Sequence, residues 1–167
     1  MSRLVLSVCL ALNAMLLLTA CERAMARDLI EMNVCELLSG PEVIELLGGE
    51  IKTPALRSDY GTSQGCDYGI GTVGTGSYEY ISIWVSDPGL FQSAESILET
   101  SRGLGQEVSA EQLADFGDIA FAIHNKTEDQ TTVHVLVRDD VAISVTAEGL
   151  DHAMQLVETI LKRLENP

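Results

Sequence analysis

Cations are scarce in this chain. Ten Lys and Arg stand against 25 Asp and Glu, giving a formal net charge of -15, and no basic run occurs anywhere. Nucleic-acid binding depends on clustered Lys and Arg that displace counterions from phosphate, so no nucleic-acid partner is expected. The acidity instead keeps a domain soluble and off anionic membrane surfaces. Histidine is nearly absent, with three residues. His124 and His134 fall on neighbouring expected strands, on the less apolar face, together with Thr132, Ser144 and Thr146. They could share a metal if aligned, but a metal site normally offers three or more ligands with supporting hydrogen bonds, and His152 opens a distant helix. Solvated or hydrogen-bonded strand histidines are the simpler reading, so no metal and no other cofactor is expected. A G-x-S-x-G nucleophile elbow is missing too, and Ser39 is better explained as a helix cap. No enzymatic activity is assigned. The chain has no internal repeat and no low-complexity tract.

Two patterns mimic known sites. Gly69-Ile70-Gly71-Thr72-Val73-Gly74 matches G-x-G-x-x-G, but a dinucleotide fingerprint needs a helix next, and here a β-rich stretch comes instead. It reads as a hairpin connection. Asp139-Asp140 and Glu128-Asp129 are acidic turn pairs without the regular oxygen spacing of a calcium loop.

The longest apolar run lies at the front, from Leu4 to Ala20, behind Arg3 and closed by Leu18-Thr19-Ala20-Cys21. A positive start, an apolar stretch and small residues before a cysteine resemble a bacterial lipoprotein signal. The resemblance implies a signal peptide at residues 1–20, cleavage before Cys21, and acylation of the Cys21 thiol (palmitate or a similar chain) and of its new amino group. Two alternatives remain open. Ala24-Met25-Ala26 is a small-x-small site of an ordinary secretory signal, and an uncleaved anchor would be a short one. All three export the rest of the chain. The expected location is a bacterial membrane, with the domain outside the cytoplasm, periplasmic or at the cell surface.

Cysteine is sparse as well, with four residues. Cys9 leaves with the signal and Cys21 takes lipid, so Cys35 and Cys66 remain as an even pair in an oxidising compartment. A disulfide between them is expected. A metal or catalytic thiol pair is the other possibility, against which stand the long spacing and the lack of a nearby His.

Residues 21–34 read as the lipidated cysteine and a tether, and residues 35–165 as a single domain. Ser39-Gly40-Pro41-Glu42 has the form of a capping box, followed by an apolar stripe through Val43, Ile44, Leu46 and Leu47 and a stop at Gly48-Gly49. Lys52 to Gly65 reads as a polar loop. Strands are expected at Cys66–Ile70 and Tyr78–Ser86. Asp87-Pro88 opens a helix with Leu90, Phe91, Ala94, Ile97 and Leu98 on one face, ended by Gly103. Gln106 to Leu113 reads as irregular or as a short helical turn. Three more strands are expected at Ile119–Ile123, Thr131–Arg138 and Val141–Ala147. The last two form a hairpin. Its alternating valines fall on one face only if the loop is odd, which predicts a three-residue loop at Arg138-Asp139-Asp140 with an aspartate at positive φ. Leu150, Ala153, Met154, Val157, Ile160, Leu161 and Leu164 then mark a final helix. The fold class is α+β, an antiparallel sheet of about five strands packed with about three helices.

Cys35-Glu36-Leu37-Leu38-Ser39-Gly40-Pro41-Glu42-Val43, a glycine pair, and Gly65-Cys66-Asp67-Tyr68 together resemble the small exported lipoproteins of the DUF3558 type. Phe116-Gly117-Asp118-Ile119-Ala120-Phe121 is similar to a strand-opening motif of that group and of PsbP/Mog1-like domains. Val137-Arg138-Asp139-Asp140-Val141-Ala142-Ile143-Ser144-Val145 is similar to their late hairpin. The resemblance implies a PsbP/Mog1-like sandwich and the Cys35–Cys66 disulfide, and it carries no catalytic residues.

Tyr78, Tyr80 and Trp84 alternate along one strand face, with Ile81, Ile83 and Val85 on the other. The aromatic face either packs under a helix or stands open to a ligand or partner. The expected function is a lipid-anchored, non-catalytic envelope protein that binds another envelope protein or acts as an accessory module. The alternative is a carrier for a small ligand or lipid.

Overall fold

A computed structural model describes residues 33–71 and 78–165. The expected signal at 1–20, Cys21 and nearly all of the tether, with the 72–77 connection, lie outside the described residues.

The described chain forms one seven-stranded sheet in which every neighbouring pair runs antiparallel. Two short helices come first, α1 (Val34–Leu37) and α2 (Gly40–Leu47). Asn33 caps α1 by accepting the Cys35 N–H at 3.2 Å. At the start of α2, Glu42 reaches back to accept the Ser39 N–H at 2.8 Å and the Ser39 hydroxyl at 2.6 Å. Gly48, at φ 79°, stops α2 while its N–H bonds Ile44 O.

Strands β1 (Glu50–Asp59), β2 (Ser63–Gly71) and β3 (Tyr78–Ser86) form a meander. A 3₁₀ turn at Pro88–Leu90 leads to α3 (Ala94–Gly103), and then come β4 (Val108–Gln112), β5 (Ile119–Asn125), β6 (Gln130–Val137) and β7 (Val141–Ala147). Helix α4 (Leu150–Glu165) ends the described chain. Strand order is β1-β2-β3-β7-β6-β5-β4, so the two meanders join through the β3–β7 pair.

The class is α+β, with more strands and helices than the sequence announces. Both extra strands are the edges. The expected loop over Lys52–Gly65 is largely β1, which lacks alternation because nearly all of it is exposed. Its register slips around Pro54-Ala55, which together oppose Tyr68, a bulge of the kind that admits proline into an edge strand. The irregular stretch expected over Gln106–Leu113 contains β4, where Val108 alone is buried. The β6–β7 hairpin has the expected register: Val133 faces Val145, Val135 faces Ile143, and Val137 faces Val141 across a three-residue loop. Asp139 sits at φ 51° there, and so does Arg138 at φ 53°.

The main core lies on one sheet face. Ile81, Ile83, Val85, Val133, Val135, Ile143 and Val145 are fully buried beneath α1, α2 and α4. Helix α4 contributes Ala153, Val157 and Ile160, as its stripe predicts, and also Leu156. Each such side chain is worth about 1.5–3 kcal/mol when removed from water. Three further ties hold the N-terminal helices. Cys35 and Cys66 are joined in a disulfide. The Tyr68 hydroxyl donates to Leu38 O, and Arg163 on α4 bonds both Leu37 O and the Glu42 carboxylate. That guanidinium, with Ser39, holds the Glu42 carboxyl down at about 2. Burial, with the nearby Glu42 charge, pushes the Tyr68 phenol up to about 12.

Among the described residues the opposite face is only half covered. Phe91, Ala94, Ile97 and Leu98, around the start and middle of α3, cover Val108, Phe121 and Ile123 of β4 and β5. Leu90, expected on that stripe, instead lies in the 3₁₀ turn and is exposed.

Candidate functional site

Strand alternation puts Tyr80, Ser82 and Trp84 on this second face, as expected from sequence. The Tyr78 side chain lies outside the described residues. The two aromatics that are described behave differently. Tyr80 is 41% exposed. Trp84 is half-buried: its indole N–H donates to the Ser82 hydroxyl at 2.8 Å, and its ring stacks on Tyr60 at 5.7 Å between centroids. Ser82 in turn donates to Asp67 at 2.6 Å. Gly65 lies opposite Trp84, where the indole crosses bare backbone.

Register extends this face into β1, which sequence reasoning left out. Leu56 pairs with Asp67 and therefore points to the same side as Trp84 and Tyr80. Leu56 is 64% exposed and Tyr60 71%. The alternation that flags a strand is missing from β1, so neither residue stands out in the sequence.

Between this open half and α3 lies a cleft of about 300 Å³. Its sheet side is formed by Tyr80, Ser82, Thr132, His134 and Thr146, and its helix side includes Ile97 and Ser101. Thr132 and Thr146 hydroxyls bond each other at 2.9 Å. His134 Nδ1 bonds the Ser144 hydroxyl at 2.9 Å, and its ring stacks on Phe121 at 5.1 Å. Burial pushes this imidazole down to about 4, so it is neutral at physiological pH and a feeble base.

The three histidines have three separate settings. The placement of His124 and His134 on one face is corrected by register. Phe121 faces His134 on the second side of the sheet, while His124 pairs with Thr131 on the core side. One residue's offset reverses the face in a strand, so the two imidazoles point apart and cannot share an ion. His124 bonds Thr131 at 3.1 Å and lies 3.8 Å from Glu111. His152 contacts Glu79 at 3.1 Å, whose carboxylate also accepts the Glu148 N–H. Among the described residues no three His, Cys, Asp or Glu side chains gather as metal ligands.

No family model, curated protein or solved structure matches this chain. Among the described residues no helix is long and apolar enough to cross a membrane. The Gly69-Ile70-Gly71 half of the apparent dinucleotide motif ends β2, and β3 returns antiparallel from Tyr78 where a fingerprint would need a helix.

A second cavity, of about 350 Å³, lies where the β6–β7 turn meets the end of α4. Phe116, Val137, Val141 and Leu161 give it an apolar floor, and Arg138 and Glu158 stand among its charged residues. Asp118, beside it, accepts the Asp139 N–H at 3.0 Å and so fixes the turn. No hydroxyl, thiol or imidazole side chain lines this cavity.

Proposed function

We propose that this chain is a lipid-anchored protein of the bacterial cell envelope, held to a membrane through acyl groups on Cys21. Its domain binds another envelope protein and performs no chemistry of its own. The observation that carries the reading is the exposure of Leu56 and Tyr60, with Tyr80 nearby in register, on the half of the sheet that none of the described helices covers. Large apolar side chains gathered on one open face mark a surface that another molecule covers. Trp84 backs Tyr60 and gives the patch a rigid aromatic centre, the type of residue on which protein interfaces concentrate their energy.

In this reading the domain is a PsbP/Mog1-like sandwich of the DUF3558 type. The quoted motifs have structural roles that suit it: Cys35 and Cys66 are bonded, and Asp118 supports the late hairpin. The disulfide also fits export. An acyl-chain carrier fits less well, because hydroxyl groups line much of the cleft beside α3.

The test has two arms. Cys21→Ser should move the protein from the membrane to the soluble fraction; retention on the membrane would overturn the anchor. A photo-cross-linking residue at Tyr60 should capture one defined protein in intact cells, and Leu56→Ser should abolish the adduct. Equal capture from Gln155, on α4 across the sheet, would sink the binding face.

A further inference from the structure

We propose that the cleft between α3 and the β3-β7-β6 face is a binding site for a neutral carbohydrate. The site shares Tyr80 with the protein-docking face, but the inference rests on what the cleft offers a ligand. Hydroxyl groups come from Ser82, Thr132 and Thr146 on the sheet and Ser101 on α3, and amides from Asn125 and Gln130. Each can donate and accept, as sugar hydroxyls do. The Thr132–Thr146 bond uses one hydroxyl proton of the pair and leaves the other to donate outward. Ser82 donates to Asp67 and accepts from Trp84, which leaves a lone pair for a ligand. His134 supplies a fixed polar atom. Its Nδ1 is taken by Ser144, and Nε2 has no hydrogen-bonding partner among the described residues. His134 lines the cleft. Tyr80 adds an aromatic surface of the kind on which the C–H face of a sugar ring packs.

What the cleft lacks selects against other ligands. Among the described residues it has no Lys or Arg, so phosphate and carboxylate ligands find no counter-charge there, and Glu128 is the one carboxylate among those residues. Its aliphatic members Ile97, Val108 and Ile123 are outnumbered by polar lining residues, which disfavours an acyl chain. An extended peptide would need a long free strand edge; β7 and β6 are paired on both sides, and β3 is paired with β7 from Ser82 to Ser86. The volume, about 300 Å³, is at the small end of ligand clefts.

The protein has a single tryptophan, whose indole N–H ends on Ser82 in the cleft. Full-length ¹⁵N-labelled protein, in a detergent without a sugar headgroup, is titrated with chitotetraose and separately with maltotetraose. The expected result is a saturable shift of the indole resonance with at least one of them. Thr132→Val, which keeps the side chain's shape, should weaken that binding about three- to tenfold. Tyr80→Ala should weaken it further, and Leu56→Ser should leave it unchanged. No saturable shift with either saccharide overturns the proposal, as does binding that both cleft variants leave intact. Loss of the cross-link from Tyr60 would leave this result untouched, so the two readings fail separately.

Discussion

The indole of Trp84 lies across Gly65 so closely that a Cβ built on Gly65 would sit 2.8 Å from the ring carbons Cε2 and Cζ2. Gly65→Ala must therefore push the ring away or bend β2. Overpacking of this kind costs about 1–3 kcal/mol. A lower urea midpoint together with altered fluorescence of the lone tryptophan is the expected outcome. A midpoint at or above that of the parent would show that the ring yields freely.

The Cys35–Cys66 bond closes a loop of 31 residues and pins α1 to β2, the strand beside the β1 edge. Chain entropy assigns such a loop about 3–4 kcal/mol. The double change Cys35→Ala, Cys66→Ala should lower unfolding free energy by that order, and alkylation of the unreduced parent protein should find neither thiol free.

His134 makes stability depend on pH in mildly acidic solution. Unfolded, the imidazole takes up a proton near 6.5; folded, it resists until about 4. Between those values the unfolded state holds more protons, so stability is present above 6.5 and is lost as pH falls toward 4. His134→Gln should flatten denaturation midpoints across that window.

Glu42 acts in a lower window through the same sign. Arg163 and Ser39 hold its folded carboxyl at about 2 against an ordinary 4.5, so its contribution is intact above 4.5 and disappears as pH falls to 2. Glu42→Gln should remove that slope and leave the one from His134. Both groups of the ion pair are about a third exposed, so salt should weaken the effect.

Elements with one buried face were legible from sequence. Helix α4 and the β6–β7 hairpin can be read from their periodicity, and the odd loop from matching Val135 to Ile143. Leu156 escaped because α4 buries a wider stripe than its 3-4 spacing marks. Strand β1 escaped for the opposite reason: it is an edge with little to bury, and it carries a proline. That omission also hid the candidate face, because Leu56 and Tyr60 acquire meaning only when β1 is set beside β2. The histidine pair failed on parity. His124 lies just beyond the strand end expected from sequence, and one position in a strand decides between opposite sides.

The β3–β7 seam has a consequence for the order of folding. Ser82 pairs with Thr146, so the two meanders cannot join until the chain is almost complete. Contacts this distant in sequence are slow to form, since the loop must close before burial rewards it. Ile83 and Val85, with α1 and α2 already made before them, therefore wait for Ile143 and Val145 to complete their side of the core. A chain made only as far as β3 is in that respect a half-sheet under α1 and α2 alone, and β7 with α4 completes its core.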